Sequence, residues 1–444
     1  MSRSYQSWGN YPKARNQRVI PVHWRDAPPD LQAIDGSVLA YGYGRSYGDS
    51  CLNEDGTLLD ITPLNRYIAF DAERGLIRCE SGVLFADLLQ YIVPRGWFLP
   101  TTPGTKYVSV GGAIANDVHG KNHHVAGTFG RHVTRFELLR SDGSRLICSP
   151  TENAELFRAT IGGLGLTGLI LWAEFRLRRI PGPYIAQEKI RFGNIDEFFA
   201  ISEASDKDYE YTVAWVDCVS GGNKLGRGIF IRGNNAWHAR LPNKSAVPKT
   251  LLTAPFDLPS FALNLHTVRA FNEVYYRALL TKVQRKVVPY DPFFYPLDMI
   301  NEWNRFYGKA GFLQYQFVVP YARDRGAIKE ILRQISASGV VSFLAVLKVF
   351  GDVESPGMLS FPRPGVTLAL DFPYRGAPTL RLLDRLDQIV RECGGALYPA
   401  KDARMSPQMF EASFPNWRAF SQYIDPKFSS SFWRRVTGQA ASGK

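Results

Sequence analysis

The chain has 444 residues, enough for two or three packing units and too many for one small module. Its composition is 45% hydrophobic, 21% charged and 13% aromatic with 39 Gly and 28 Pro, which excludes a mainly disordered or collagen-like chain. The 53 Lys plus Arg against 41 Asp plus Glu leave a net charge of +12, which favours anionic partners: nucleic acid, a phosphorylated substrate or an anionic membrane face. Cys51, Cys79, Cys148, Cys218 and Cys393 are scattered without CxxC pairs, so neither a disulfide framework nor a zinc site is expected, and they read as buried thiols of a reducing compartment. The N-terminal MSRSYQSWGNYPKARNQ has no apolar core of a signal peptide, and apolar runs such as VTLALDF are far too short to cross a bilayer. Synthesis in the cytosol without a spanning segment is the expectation.

Between Leu39 and Arg178 short strand-like runs alternate with short helical patterns. ESGVLFADLLQYIVPRGW predicts a helix with Val83, Leu84, Leu88, Leu89 and Ile92 on one side, stopped at Pro94-Arg95-Gly96. RFELLRSDGSRLICSP reads as a hairpin around Asp142-Gly143. TENAELFRATIG is a helix starting at Thr151 or Glu152, and GLILWAEFRLRRI an apolar strand. After Ile180-Pro181-Gly182-Pro183 a second pattern opens with KIRFGNIDEFFAISEA and the aromatic strand YEYTVAWVDCVS. Residues 220–289 show little period apart from a helix near AFNEVYYRALLTKV, and are expected to form a long flexible loop. Strand FLQYQFVVP, helix RGAIKEILRQISASG, strands SFLAVLKVFG and GVTLALDFPY, and helix TLRLLDRLDQIVRECGG follow, predicting an antiparallel sheet with helices on one face. The residues after LYPAKDAR form a further short unit with the aromatic helix FPNWRAFSQYI. The fold class is α+β.

Four glycine-bearing loops fall in the first half: GYGRSYGDS, PGTKYVSVGGAIANDVHGKNHH, GTFGRHV and IGGLGLTG. Glycine lets a backbone approach phosphate oxygens, and a helix starting at Gly111-Gly112-Ala113 would aim its positive end at them, so the set suits a pyrophosphate. A Rossmann reading is weak, because GGLGLTG runs straight into an apolar strand. His119, His123 and His124 lack a matching carboxylate or Cys set, so no metal is expected.

GRSYGD, LPTTPGTKYVSVGGAIANDVHGKNHH and AELFRATIGGLGLTGLI resemble the FAD-binding domain of the vanillyl-alcohol oxidase superfamily, the p-cresol methylhydroxylase type of flavin fold. AWVDC, KLGRG, FYPLDMINEWNRFYGKAGFLQYQFVVP, SFLAVLKVFG and LYPAKDAR resemble the decaprenylphosphoryl-β-D-ribose 2'-oxidase family within it, from Trp8 to Trp433. The resemblance implies a two-domain flavoprotein: an FAD domain over 7–183, a substrate domain over 184–395 and a C-terminal segment, 396–444, returning to the first. It implies oxidation of the 2'-hydroxyl of a polyprenylphosphoryl ribofuranose to a ketone, with a short-chain-dehydrogenase-type keto-reductase partner completing epimerisation towards arabinan and cell-wall synthesis. Quinone or O2 would reoxidise the flavin.

Carried over by position, FAD falls on Gly44, Arg45, Ser46, Tyr47, Gly48 and Asp49, then on Gly104, Ser109, Val110, Gly111 and Gly112. Asn116, Asp117, Val118 and His119 continue the site, closed by Gly168 or Ile170 and by Tyr398. Asp49 stands where many relatives carry a histidine bonded to the flavin, so non-covalent FAD is expected. On the substrate side the resemblance places Trp215, Gln314, Gln316, Lys348, His119 and Lys401. Gln314 and Gln316, two apart on a strand, share one face and suit a polyol. Lys401 is expected to stabilise the alkoxide-like transition state, with His119 and Tyr47 as the proton route. Two departures stand out: Ala369 where mycobacterial members carry Cys, and Phe294 beside Tyr295 where a Tyr is usual, which would alter the sugar or lipid contact.

The rival within the class is an oxidase of a soluble sugar or aldonolactone, whose usual HWxK-type C-terminal segment is missing. A nucleic-acid-binding protein is disfavoured because the basic residues form no stripe and no recognition motif. The apolar LTAPFDLPSFALNL near Arg227, Arg232, Arg240, Lys244 and Lys249 fits peripheral contact with an inner membrane, or an ordinary surface loop.

Overall fold

The computed structural model describes residues 4–237, 252–254, 256–259, 262–321 and 325–438. Arg240, Lys244 and Lys249 lie outside the described residues. The first part contains β1 (Arg18–Pro21), β2 (Val38–Tyr41), β3 (Thr57–Asp60), β4 (Tyr67–Asp71), β5 (Leu76–Glu80), α1 (Phe85–Ile92), β6 (Trp97–Phe98), α2 (Val110–Ala115) and α3 (His123–Ala126). It continues with β7 (Val133–Leu139), β8 (Arg145–Cys148), α4 (Ala154–Thr160), β9 (Leu169–Arg176) and β10 (Arg178–Arg179). β1-β3-β2 form a parallel sheet and β4-β5-β9-β7-β8 an antiparallel one. The expected hairpin over Asp142-Gly143 is the β7–β8 turn, with Gly143 at φ 84°, where a left-handed backbone favours glycine.

Helix boundaries differ locally from expectation. α1 starts at Phe85, because Glu80 ends β5 and its carboxylate is drawn to Arg25 and the Arg66 amide. α4 is preceded by Asn153 in a left-handed conformation rather than by Thr151 or Glu152 at its start.

The second part contains β11 (Tyr184–Phe192), α5 (Ile195–Ser205), β12 (Tyr211–Val216), β13 (Gly228–Ala236), β14 (Leu252–Thr253), α6 (Leu265–Arg277), β15 (Val283–Pro289) and α7 (Tyr290–Phe294). After them come β16 (Ile300–Asn301), β17 (Phe312–Val319), α8 (Arg325–Ser338), β18 (Ala345–Phe350), β19 (Gly365–Pro373), α9 (Ala377–Glu392), β20 (Ala396–Leu397), α10 (Pro407–Ser413), α11 (Trp417–Ser421) and α12 (Ser431–Thr437). Eight strands form one antiparallel sheet in the order β15-β11-β13-β12-β18-β19-β17-β20.

The stretch 220–289 is therefore not one long loop. β13 lies inside the sheet, paired along its length with β11 and over six residues with β12, and β15 forms the edge. Arg232, Asn234 and Asn235 in β13, and the exposed polar residues of β15, obscure the alternation that a half-buried strand shows in sequence. α6 is fastened to the sheet through Asp217, which accepts from Asn272 at 2.7 Å and from Arg227 at 2.9 Å, while Arg227 reaches Glu273 at 2.7 Å.

Side chains alternate across a strand, so this sheet has two chemically different faces. Leu313, Tyr315 and Phe317 of β17, Leu368 and Leu370 of β19, and Leu347 of β18 point into a core closed by Phe198 of α5, Ile331 of α8 and Leu386 of α9. The opposite face carries Gln314 and Gln316 of β17, Thr367, Ala369 and Asp371 of β19, and Val346 and Lys348 of β18. Register joins Gln316 to Ala369, Ala369 to Val346 and Val346 to Trp215, one row across four strands. The last residues turn back to the first part: Phe428 bridges to Val38, and α12 packs on the turn at Asp49–Cys51.

Candidate active site

The second face of the sheet meets the loop that precedes α3. His119 is buried, with Nε2 at 3.0 Å from Gln316 Nε2 and Nδ1 at 3.1 Å from Lys348 Nζ. Its ring sits 4.8 Å from Phe350 and 5.5 Å from Tyr398. Burial and the neighbouring Lys348 charge push the imidazole well below its ordinary value, so it is neutral. A neutral ring accepts at one nitrogen and donates at the other. With Gln316 donating to Nε2, Nδ1 carries the proton and faces Lys348 as an amine. With Lys348 charged, Nδ1 accepts and Nε2 carries the proton. Burial, with Lys121 and Lys401 nearby, brings Lys348 down to about 7, so both arrangements lie within reach near neutral pH.

Lys401 follows β20, with its Nζ 3.7 Å from the centroid of the Tyr47 ring. Burial lowers the ammonium and the Asp371 charge opposes that fall. The Tyr47 amide donates to Ala400 O at 2.9 Å, joining the first glycine loop to the Lys401 segment, and burial keeps its phenol far above the usual range. Gly48 is required here, since a Cβ would stand 1.7 Å from Asp402 O. Gln314 donates to Asp371 at 2.5 Å, and Tyr307 approaches the same carboxylate at 3.5 Å.

The first glycine loop fits the pyrophosphate of a dinucleotide. Gly44 is left-handed at φ 64°, and a Cβ there would meet Tyr41 Oη at 2.2 Å. The amides of Gly44, Arg45 and Ser46 donate to no acceptor among the described residues. The Arg45 guanidinium lies over the Trp8 ring at 4.0 Å, burial lowers its pKa, and its buried Nε has no hydrogen-bond partner among the described residues. Such a guanidinium suits an anionic oxygen. Asp49 is fully committed to the fold, clamped by Arg435 at 2.7 and 2.9 Å.

The second loop works differently from expectation. α2 begins at Val110, and its first amides are already taken: Val110 N by Val83 O at 3.0 Å, Gly111 N by Ser81 O at 2.7 Å and Gly112 N by the Ser109 hydroxyl at 3.1 Å. Its positive end is spent on the protein, and Gly111 serves close approach, a Cβ there standing 2.9 Å from Ser81 Cβ. Asp117 likewise accepts from Gly130 N at 2.8 Å and from the Ser355 and Ser360 hydroxyls, pinning two loops together. Asn116 donates to Gly112 O at 2.9 Å, and Tyr398 to Asn116 O at 2.9 Å, closing this wall. Val118 and Ile170 are core residues, Gly168 precedes β9, and a Cβ on Gly104 would meet nothing within 4 Å.

The fold thus brings together Tyr47, His119, Gln314, Gln316, Lys348, Ala369 and Lys401. Trp215 lies at the end of the register row and packs on Tyr275 of α6 at 4.8 Å. Phe294 is not brought into the cluster: it is buried among Phe98, Tyr211 and Phe293. Sequence reading missed Asp371, Tyr307 and Thr367, although Thr367, Ala369 and Asp371 alternate with leucines in VTLALDF and so announce a polar face. Among the described residues no group of three or more His, Cys, Asp or Glu could hold a metal.

Residues 32–149 match the family model of the FAD binding domain. The chain is 40% identical, over 90% of its length and 89% of the relative's, to decaprenylphosphoryl-β-D-ribose oxidase of Mycolicibacterium smegmatis. This chain belongs to the decaprenylphosphoryl-β-D-ribose oxidase family. It is an FAD-dependent oxidoreductase with the two-part vanillyl-alcohol oxidase type of architecture. An uncharacterised protein of Streptomyces coelicolor is 31% identical over 79% of this chain and 98% of its own. L-gulonolactone oxidase of Bos taurus is 30% identical over only 37% of this chain and 38% of its own, so that likeness leaves most of the chain unmatched.

Proposed function

We propose that this protein oxidises the 2'-hydroxyl of a polyprenylphosphoryl-β-D-ribofuranose to the 2'-keto sugar, the first half of an epimerisation towards an arabinose donor for cell-envelope glycan. The observation that carries this reading is the polar row of the large sheet facing His119, Lys348 and Lys401 beside the Arg45 loop. FAD, when bound, supplies the two-electron acceptor for the carbinol hydrogen. Arg45 and the amides of Gly44 to Ser46 would hold its pyrophosphate, and Asp49 offers no atom for a covalent bond of the histidine kind.

Gln314 and Gln316 orient the pentose hydroxyls from one strand face. Lys401 donates to the reacting oxygen and stabilises the charge developing there. His119 receives the hydroxyl proton at Nε2 and releases the Nδ1 proton to Lys348, whose amine burial has made available. The phosphate of the substrate answers the lysine-rich side of the site, a keto-reductase partner of the short-chain-dehydrogenase type consumes the ketone, and quinone or O2 takes the electrons onward.

Purified enzyme incubated with polyprenylphosphoryl ribose and an electron acceptor should yield a product lighter by about two mass units, one H2 lost. Lys401→Met should keep its flavin spectrum and form no product. Formation of product at the wild-type rate by that variant would overturn the assignment.

A further inference from the structure

Asp371 is a buried carboxylate that the reaction outlined above does not use. It lies on the site face of β19, two residues from Ala369, at 1% exposure. Gln314 donates to one of its oxygens at 2.5 Å, Tyr307 approaches the other at 3.5 Å, and the Ser342 hydroxyl accepts from its amide at 3.1 Å. Two polar side chains therefore hold the carboxylate in the floor of the site, and a third fixes the backbone behind it. No ion-pair partner within 4.0 Å is recorded for it among the described residues. A structural aspartate is ordinarily tied to an Arg, Lys or helix N-terminus, as Asp49, Asp402 and Asp425 are here.

Lys401 has the complementary problem. Its Nζ rests on the face of Tyr47, close enough to Lys348 and His119 for their charges to matter, and no carboxylate within 4.0 Å is recorded for it. Lys401 and Asp371 flank one aromatic cluster: Tyr47 beneath the ammonium packs edge-on against Phe312 at 5.5 Å, Phe312 stacks on Tyr307 at 4.2 Å, and Tyr307 reaches Asp371 at 3.5 Å. Lys348 from β18 and His119 from the loop before α3 are the other titratable groups near Lys401. Facing Asp371 are Gln314 from β17, Tyr307, Tyr47 and Lys401. Asp371 is thus the anion whose charge acts on Lys401.

We propose that Asp371 is the positioning residue of Lys401: held by Gln314 and Tyr307, its carboxylate keeps Lys401 protonated so that the ammonium can stabilise the developing alkoxide. This rests on the reading of Lys401 given above. The electrostatics agree, since burial lowers Lys401 and raises Asp371, and each opposes the shift of the other. An ammonium deprived of that carboxylate loses its proton at lower pH.

The test uses the FAD-loaded full-length enzyme and two readouts. One is kcat/KM for polyprenylphosphoryl ribose from pH 6 to 9.5; the other is the pH dependence of Lys401 acylation by acetic anhydride, read by mass spectrometry. In Asp371→Asn, both the alkaline limb and the acylation midpoint should move to lower pH by about one unit or more. Asp371→Glu should restore most of the shift, and Gln314→Leu should give a smaller shift in the same direction by weakening the carboxylate's hold on its charge. Uniform loss of activity with both midpoints unchanged would overturn the proposal. A wild type that does not oxidise the substrate but whose Lys401 midpoint still follows Asp371 would refute the substrate reading and leave the pairing standing. If Asp371→Asn cannot be isolated with FAD, an unmoved midpoint in Gln314→Leu overturns it as well.

Discussion

His123 begins α3, four residues after His119, with both ring nitrogens buried and without a hydrogen-bond partner among the described residues, its ring 4.5 Å from Phe350. Burial lowers it to about 3, so over the range between that value and the ordinary ~6.5 the unfolded chain binds a proton that the folded chain refuses. Stability is accordingly lost as pH falls below about 6.5, at about 1.4 kcal/mol per unit for this group. His123→Leu should reduce the loss between pH 6.5 and 5 by about 2 kcal/mol in urea unfolding, and an unchanged acid slope would contradict this. The histidine cluster was visible in the sequence, but what separates a working histidine from a buried one was not. His119 faces Gln316 and Lys348, residues almost 200 or more positions away, while His123 turns into an aromatic wall. The same holds for Asp371: alternation in VTLALDF places it on a face, and only the pairing with Gln314 shows that the face is the site.

At the scale of elements, α12 locks the first glycine loop. Arg435 bridges Asp49 at 2.7 Å and Asp402 at 2.8 Å, holding the loop, the Lys401 segment and the last helix in one network. Removing the cation leaves two buried carboxylates together, a cost of about 3 kcal/mol. Arg435→Leu should melt earlier and lose FAD on gel filtration, while flavin from acid-precipitated wild type stays in solution; a variant with full flavin content would contradict the clamp. Long, strongly periodic elements such as α8, α9, β17 and β19 were legible because one face of each is continuously apolar. β13 was not, since Arg232, Asn234 and Asn235 at its half-buried positions erase the pattern and its strand character comes from two neighbours distant in sequence. The spacing of the α2 glycines points them at a phosphate, but the amides of Val110 and Gly111 are taken by Val83 and Ser81, tertiary contacts that spacing does not encode, and that of Gly112 by the Ser109 cap.

Across the whole molecule, the charge of +12 finds its most specific use in the interior, where Lys121, Lys348 and Lys401 gather near one another. No helix among the described residues is long and apolar enough to cross a membrane. Exposed Trp237, Leu252, Phe256, Phe271, Val274 and Leu280 nevertheless concentrate on one stretch of the substrate-side half. Apolar side chains beside cations favour peripheral contact with anionic lipid. Sedimentation with anionic liposomes should exceed that with neutral ones and fall about tenfold in Leu280→Asp, as loss of one inserted leucine implies; equal binding to both lipids would remove the membrane contact. The central claim, that the row from Gln316 to Trp215 receives a lipid-linked ribofuranose, is tested most directly by anaerobic mixing of the oxidised enzyme with substrate. Polyprenylphosphoryl ribose should bleach the flavin absorbance within the turnover time while free ribose and aldonolactones leave it oxidised. Bleaching by an aldonolactone, with none by the lipid-linked sugar, would contradict the account.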